Sequence, residues 1–376
     1  MKLSDFDYEL PKELIAQEAL PARRDARLLV LDRKTGSIHH RQFCQIVDYL
    51  MPGDLLVLNN TKVLPARFFG KKETGGAVEV LLLRFLSSPH VLSGDPIQIT
   101  DSRFRGNDIS SRRGQKWQAL LRPSSRVKAG QKIIFQNGSA SSAFSARVLD
   151  EPAENSGIRH LEFESGIDAH KQMEHLGRIP LPPYIDREDF PIDRELYQTV
   201  YAKVPGSVAS PTAGLHFDSK LLVEIDRRGI DIAWVTLHVG YGTFQPVAEE
   251  DLSRHVMHAE YFDLPEETAE KINMAKTDGR RIVACGTTTV RTLEAASINT
   301  LPPEVSPKRG FTNLFIYPPY EFKIVDAIIT NFHLPKTTLL MLVAAFCGKD
   351  CLDGAYQEAI QNRYRFYSYG DAMLVI

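Results

Sequence analysis

The spacing of apolar and polar residues predicts short strands and few helices over the first 150 positions. Residues 11–20 are predicted to form a short helix with Pro11 in its first turn, and residues 28–31 and 55–58 are apolar runs flanked by turn residues, as is typical of strands. No long helical pattern interrupts the strand candidates after residue 62, so a small all-β barrel is predicted there. Its predicted strands are 78–83, 117–121, 132–135 and 144–148.

Helical and strand patterns alternate after residue 151, which predicts an α/β layout for the rest of the chain. Gly229 marks the end of the first helix, since glycine readily adopts the left-handed conformation at helix ends. The predicted helices are 218–228, 265–276, 288–296, 338–346 and 354–362, and the predicted strands are 230–239, 281–285 and 326–330.

Charge separates the predicted barrel from the rest of the chain. Residues 62–150 carry 15 Lys and Arg against 6 Asp and Glu, whereas the 376 residues together have a net charge of −2. A basic barrel suits contact with a nucleic-acid backbone, and the alternative is that the charge only solubilises a small domain. Residues 85–115, rich in Ser, Arg, Asp and Gly, are predicted to form a mobile hairpin insertion without a catalytic role.

The composition narrows the cellular and chemical setting. Four scattered cysteines favour a reducing compartment and supply neither a zinc nor an iron–sulfur ligand set, so no metal site is expected. The first residues lack the apolar segment of a signal peptide. No apolar run reaches the roughly 18 residues of a membrane span. We therefore expect a soluble, cytoplasmic protein.

Four loops rich in Gly, Thr and His follow predicted strands or precede predicted helices, at 207–217, 237–244, 285–291 and 330–335. Ligands of α/β sheets bind beyond the carboxyl ends of strands, so these loops are expected to converge on one pocket. The sequence has no G-x-G-x-x-G after a strand, no Walker A motif and no G-x-S-x-G motif. Dinucleotide, common methyltransferase-type and P-loop sites are therefore not indicated.

Each loop supplies candidate site residues. The turn at 286–289 offers helix N–H groups and three threonine hydroxyls to an anion, with Arg291 one turn further, although an ordinary strand-to-helix turn is the alternative. His216, His238 and His333 are candidates for a general base or orienting group because imidazole titrates near neutral pH, although a lone His is more often structural. The predicted substrate-binding residues are Thr212, Gly214, Gly240, Gly242, Thr243, Gly286, Thr287, Thr288, Arg291 and Asn331.

Long motifs are spread in order along the chain, at 4–11, 52–67, 177–185, 197–202, 211–217, 238–244, 286–294, 330–335 and 364–373. These motifs resemble the tRNA ribosyltransferase-isomerase family of queuosine biosynthesis. The resemblance covers the chain except residues 85–115, and Pro319 stands where the family usually has glycine. It implies a discontinuous α/β catalytic domain of residues 1–61 and 152–376, into which a β-barrel domain of residues 62–151 is inserted. The composition break near residue 62 agrees with this division.

The resemblance also implies the reaction. S-adenosylmethionine would be the ribosyl-donor substrate, with no prosthetic group, and 7-aminomethyl-7-deazaguanine at the wobble position of tRNA would be the acceptor. The products would be epoxyqueuosine-tRNA, adenine and methionine. We expect a monomer that contacts tRNA phosphates through Lys71, Lys72, Arg122, Arg126 and Lys128. A non-enzymatic tRNA-binding module and an S-adenosylmethionine-dependent methyltransferase are the two alternatives.

Overall fold

The computed structural model describes residues 1–86, 114–136, 143–150, 157–244 and 247–376. Its α-helices are α1 (Ala169–Leu176), α2 (Asp193–Leu196), α3 (Ser219–Arg227), α4 (Glu266–Thr277), α5 (Thr287–Ala296), α6 (Thr338–Cys347) and α7 (Lys349–Gln361). Its strands are β1 (Arg27–Leu31), β2 (Ile38–Gln42), β3 (Leu55–Asn59), β4 (Thr61–Val63), β5 (Arg67–Lys72), β6 (Ala77–Leu86), β7 (Lys116–Arg122), β8 (Lys132–Phe135), β9 (Phe144–Val148), β10 (Ile158–Phe163), β11 (Val204–Ser207), β12 (Asp231–Leu237), β13 (Glu260–Leu264), β14 (Ile282–Cys285), β15 (Ser297–Ile298), β16 (Glu304–Val305), β17 (Lys308–Thr312), β18 (Ala327–Asn331) and β19 (Ala372–Val375).

A mixed sheet forms the centre of the α/β part, in the order β17-β13-β12-β3-β14-β18-β19-β1-β2. Its four adjacent strands β12, β3, β14 and β18 are mutually parallel. Their carboxyl ends therefore lie side by side at one edge, which is where loops after parallel strands bind ligands.

Apolar side chains cover both faces of this sheet. In β3, Leu55 and Val57 belong to one buried cluster and Leu56 and Leu58 to another, as the alternation of side chains along a strand requires. Helices α4 to α7 contribute to the first cluster and α3 contributes to the second. A strand that is apolar on both faces is typical of a parallel sheet covered by helices.

The predicted β-barrel is confirmed as a closed antiparallel barrel of strands β10-β7-β6-β5-β8-β9. Strands β5 and β10 were not among the predicted strands. Because β10 pairs with both β7 and β9, it closes the barrel, and it lies beyond the predicted boundary at residue 151. The predicted insertion at 85–115 falls largely outside the described residues.

The helix predicted over residues 11–20 is wrong in extent, since only the 3-10 turn Lys12–Leu14 forms there. Ile15 is extended and forms an isolated β-bridge with Phe366. The N–H of Phe366 donates to the Leu14 carbonyl at 2.7 Å, and the Ala16 N–H donates to the Phe366 carbonyl at 3.2 Å. Pairing with the distant tail of the chain therefore replaces the local helix.

Candidate active site

A cleft lies where the four predicted loops meet, at the carboxyl edge of the central strands. Residues from each of these loops contribute to its wall. Tyr184, Tyr197, Tyr367 and Ser368 from other segments complete it. Its lining residues are Tyr184, Tyr197, Ala209, Ser210, Pro211, Thr212, Ala213, Val239, Gly286, Thr287, Thr288, Arg291, Thr330, Asn331, His333, Leu339, Tyr367 and Ser368.

The first turn of α5 forms one wall of this cleft. Gly286 precedes the helix with a φ of 87°, a left-handed conformation that favours glycine, and no side chain caps the helix start. The first N–H groups of a helix have no intrahelical acceptor, so this end attracts anions. Thr288 Oγ1 accepts a hydrogen bond of 3.2 Å from Asn59 Nδ2, which fixes the turn against the end of β3.

Arg291, one turn into α5, forms a buried ion pair with Glu260 of β13. Their exposed fractions are 3% and 4%. Arg291 Nη1 donates to Glu260 Oε2, and Arg291 Nε donates to the Leu314 carbonyl at 3.1 Å. Arg291 Nη2 is buried without a hydrogen-bond partner among the described residues. Such a donor is costly unless an acceptor arrives, so it favours binding of a ligand carboxylate or phosphate.

His333 lies in the cleft and is held by its ring and by its backbone. Its Nε2 is 2.8 Å from Thr330 Oγ1. Its N–H donates to the Tyr356 hydroxyl at 2.9 Å, and its carbonyl accepts from the Tyr8 hydroxyl. Burial lowers the pKa of His333 to about 3. The imidazole is therefore neutral at physiological pH.

His216 lines a neighbouring small cavity and contacts Asn331, which does line the cleft. Asn331 Nδ2 is 3.2 Å from His216 Nε2 and donates to the Tyr367 carbonyl at 3.0 Å. Burial, and then the positive charge of Arg23, lower the pKa of His216 to about 3. The neutral ring can accept from the Asn331 amide, whose Oδ1 is buried without a partner in the described part of the chain. A catalytic role for His216 stays a prediction.

His238 lines a second cavity that adjoins the cleft, since Val239 lines both. His238 Nδ1 is 2.8 Å from Thr61 Oγ1. Burial lowers the pKa of His238 to about 4, so this ring is also neutral near pH 7. Gly240 lines the second cavity too, and its N–H donates to Glu260 Oε1 at 2.8 Å.

Two of the predicted glycines contact protein side chains closely. A Cβ at Gly214 would lie 2.1 Å from the Tyr201 hydroxyl oxygen, and a Cβ at Gly242 would lie 2.4 Å from the His258 ring. Close packing therefore accounts for both glycines without a ligand. The side chain of Thr243 lies outside the described residues. The predicted site residues that line the first cleft are Thr212, Gly286, Thr287, Thr288, Arg291, Asn331 and His333.

The sequence reasoning missed the aromatic side of the cleft. The rings of Tyr184 and Tyr367 meet edge to face with their centroids 3.9 Å apart, and the Tyr184 hydroxyl is hydrogen-bonded to Ser368. Tyr197 also lines the cleft and is fully buried, and Ser210 Oγ is buried without a partner among the residues described. All of these except Ser210 belong to the motifs that carry the family resemblance, which was the signal available. These residues do not follow a predicted strand, so the rule that ligands bind beyond strand ends did not indicate them.

The five barrel residues that are predicted to contact tRNA differ in the exposure of their side chains. Lys71, Arg126 and Lys128 are exposed, and Lys72 is half-buried with its Nζ donating to the Arg126 carbonyl at 2.8 Å. Arg122 is exposed and donates to the Tyr241 hydroxyl at 2.9 Å. Arg122 therefore contacts the loop after β12 as well as solvent.

The described residues contain no group of three or more His, Cys, Asp or Glu placed to hold a metal ion. No helix among them has the length and apolar character needed to cross a membrane.

Comparison with known proteins assigns the chain to a family. The model of the family described as queuosine biosynthesis protein matches residues 3–375. The chain is 48% identical over its whole length to the S-adenosylmethionine:tRNA ribosyltransferase-isomerase of Sulfurihydrogenibium sp. and 46% identical to that of Halothermothrix orenii, each of which is covered completely.

A solved structure agrees with this assignment. The crystal structure of the S-adenosylmethionine tRNA ribosyltransferase from Thermotoga maritima superposes with a TM-score of 0.52 and 39% sequence identity. The superposition covers 99% of this chain and 100% of the other. The family match over nearly the whole chain, the full-length relatives and the related structure lead to one conclusion. This chain belongs to the queuosine biosynthesis family of S-adenosylmethionine:tRNA ribosyltransferase-isomerases.

Proposed function

We propose that the cleft at the ends of β3, β14 and β18 binds S-adenosylmethionine, and that the chain transfers and isomerises its ribosyl moiety. The acceptor is 7-aminomethyl-7-deazaguanine at the wobble position of tRNA, and the products are epoxyqueuosine-tRNA, adenine and methionine. The observation that supports this site best is the convergence of Thr288, Arg291, Asn331 and His333 on one cleft. Relatives of full length carry the name of this activity.

The charges of the cleft suit the methionine end of the donor. A carboxylate placed between the start of α5 and Arg291 would accept from free helix N–H groups and from the unpaired Nη2. Tyr184, Tyr197 and Tyr367 supply aromatic surface on the cleft. Aromatic rings favour both the adenine ring and the sulfonium cation, since a cation is attracted to a ring face.

The chemistry requires removal of a proton from the donor. The sulfonium acidifies the ribose C5′ hydrogens, and an ylide formed there would drive adenine loss and opening of the ribose ring. Of the three candidate histidines, His333 lines the cleft, so we assign it the role of proton acceptor. The lowered pKa of His333 keeps the ring neutral, as a proton acceptor must be, but it also makes the ring a weaker base than a free imidazole, so the assignment rests on the position of His333 in the cleft.

Two supporting roles complete the assignment. His216 positions Asn331, whose Oδ1 would accept a hydrogen bond from the donor. Exclusion of water also protects the reactive intermediates, and the burial of His333 and Asn331 serves this purpose.

We propose that tRNA docks on the basic barrel, an inserted domain between the two parts of a catalytic α/β domain. The exposed cations Lys71, Arg126 and Lys128 are available to phosphate oxygens. The wobble base would leave the stack of the anticodon loop to reach the α/β site. We further propose that the protein is a monomer and that it is cytoplasmic, where its four free cysteines would stay reduced.

The donor site is tested by a matched pair of threonine variants. Thr288→Val removes a hydroxyl that lines the cleft, whereas Thr289→Val removes the neighbouring hydroxyl, which is buried and bonded to the Cys285 carbonyl. We expect Thr288→Val to weaken S-adenosylmethionine binding by about threefold to tenfold in titration calorimetry, since one hydrogen bond contributes about 0.5–1.5 kcal/mol. Thr289→Val should leave the affinity unchanged. If the two threonine variants bound S-adenosylmethionine equally well, and Arg291→Lys bound it as tightly as the wild type, the donor would have to bind elsewhere.

A further inference from the structure

The second cavity lies where the barrel meets the edge of the large sheet. Arg84 comes from barrel strand β6, Gly206 from β11, Glu260 from β13 and Phe311 from β17, and all of them line this cavity together with His238. The cavity adjoins the donor cleft through Val239, which lines both. The Arg291–Glu260 ion pair spans the two, because Arg291 lines the cleft and Glu260 lines the second cavity.

His238 presents an unused polar atom at this place. Its Nδ1 is engaged with Thr61 Oγ1, while its Nε2 is buried and has no hydrogen-bond partner in the described chain. A Cβ at Gly206 would lie 2.6 Å from Nε2, and the φ of Gly206 is 150°, so glycine is required where this backbone packs against the His238 ring. A buried ring nitrogen without a partner marks a position where a ligand atom would complete the hydrogen bond.

Aromatic rings line the same cavity in a continuous row. The rings of His238 and Tyr261 are nearly parallel, at 19° and 5.6 Å between centroids. Phe311 meets Tyr261 edge to face at 5.9 Å and is 41% exposed, so part of its ring is available to a ligand. The Arg84 guanidinium lies 5.5 Å from the centre of the Phe311 ring. Exposed aromatic rings and arginine planes are the surfaces on which unstacked RNA bases bind.

We propose that the second cavity is the acceptor site, which holds the flipped, amine-bearing purine-like base of the RNA while the donor occupies the cleft. The base stacks against Phe311 and exchanges a hydrogen bond with His238 Nε2. Its amine points toward Glu260 and Val239, where the two cavities adjoin and the reacting groups must meet within van der Waals distance. This inference rests on the proposed ribosyl transfer, and it adds the place and the residues that recognise the acceptor.

The test uses two cavity variants and one matched control. His238→Phe keeps a ring of similar size but removes the nitrogen, and Phe311→Ala removes the stacking surface. Phe190→Ala is the control, because Phe190 is also exposed (46%) and also has an arginine, Arg187, over its ring. Each protein is measured for binding of tRNA that carries 7-aminomethyl-7-deazaguanine, for binding of the same tRNA with unmodified guanine, and for binding of S-adenosylmethionine.

We expect the wild-type protein and Phe190→Ala to prefer the modified tRNA. His238→Phe and Phe311→Ala should lose about tenfold of affinity for modified tRNA and little for unmodified tRNA, while S-adenosylmethionine binding changes less than twofold. If binding of both tRNAs weakened equally, Phe311 would contact the RNA backbone and would not recognise the modified base, and the inference would be overturned. Weakened binding of S-adenosylmethionine alone would also overturn it. A wild-type protein that shows the base preference but releases no adenine would refute the ribosyl transfer and leave the base site standing.

Discussion

Burial of His216 makes the stability of this protein depend on pH in a way that one substitution isolates. The folded-state pKa of His216 is lowered from an ordinary 6.5 to about 3. Well above pH 6.5 the ring is neutral in both the folded and the unfolded state, so it does not change the free energy of unfolding with pH. As the pH falls from 6.5 toward 3, the unfolded chain binds a proton that the folded chain cannot, so stability is lost over this window. A pH of 5 lies about 1.5 units below the pKa of the unfolded state, which corresponds to a loss of about 2 kcal/mol in the free energy of unfolding.

The substitution His216→Gln removes this titration and keeps an oxygen that can accept from Asn331 Nδ2. Urea unfolding of both proteins at pH 7.5 and pH 5 gives the four free energies required. The wild-type protein should lose about 2 kcal/mol more than His216→Gln on acidification. His39→Gln, at an exposed position of β2, should lose as much as the wild type. Equal losses for the wild type and His216→Gln would refute the burial of a neutral imidazole behind Asn331.

Three further predictions concern the ion pair, the packed loops and the barrel. Glu260→Gln leaves the buried Arg291 charge unpaired, so urea denaturation should show a loss of about 3–5 kcal/mol; a neutral effect would contradict the buried pairing. Gly214→Ala places a Cβ 2.1 Å from a tyrosine hydroxyl and should cost about 1–3 kcal/mol by the same assay, whereas unchanged stability would mean that the loop has room. Lys71→Glu with Lys128→Glu should weaken tRNA binding and make its dependence on salt shallower, by a slope of about 0.7–0.9 per lost phosphate contact; an unchanged slope would remove the barrel from the docking surface.

The sequence predicted the elements of the central sheet well because its physical signals are local. Buried parallel strands are continuous apolar runs, such as residues 55–58 and 282–285, and the helices between them begin and end at recognisable residues. The loops that follow such strands share one edge of the sheet, so the gathering of Thr288, Arg291, Asn331 and His333 could be inferred without coordinates.

The sequence was less informative where distant segments decide the structure. Strand β10 was not predicted because three of its six residues are polar or charged; the structure buries one of them, Arg159, whose Nη2 donates to the Ser124 carbonyl at 2.9 Å. The assignment of His238 to a second cavity depends on Phe311 and Arg84, which are far from it in the chain. Neither the composition nor the periodicity of a sequence shows which distant residues come into contact.

The most direct test of the central claim is product analysis by mass spectrometry after incubation of the protein with S-adenosylmethionine and tRNA bearing 7-aminomethyl-7-deazaguanine. We expect free adenine, free methionine and an epoxycyclopentanediol on the tRNA base in equal amounts. We also expect His333→Ala to reduce all three sharply, because His333 is the assigned proton acceptor in the cleft. Release of S-adenosylhomocysteine with a methylated tRNA would contradict ribosyl transfer, and full turnover by His333→Ala would contradict the assigned base.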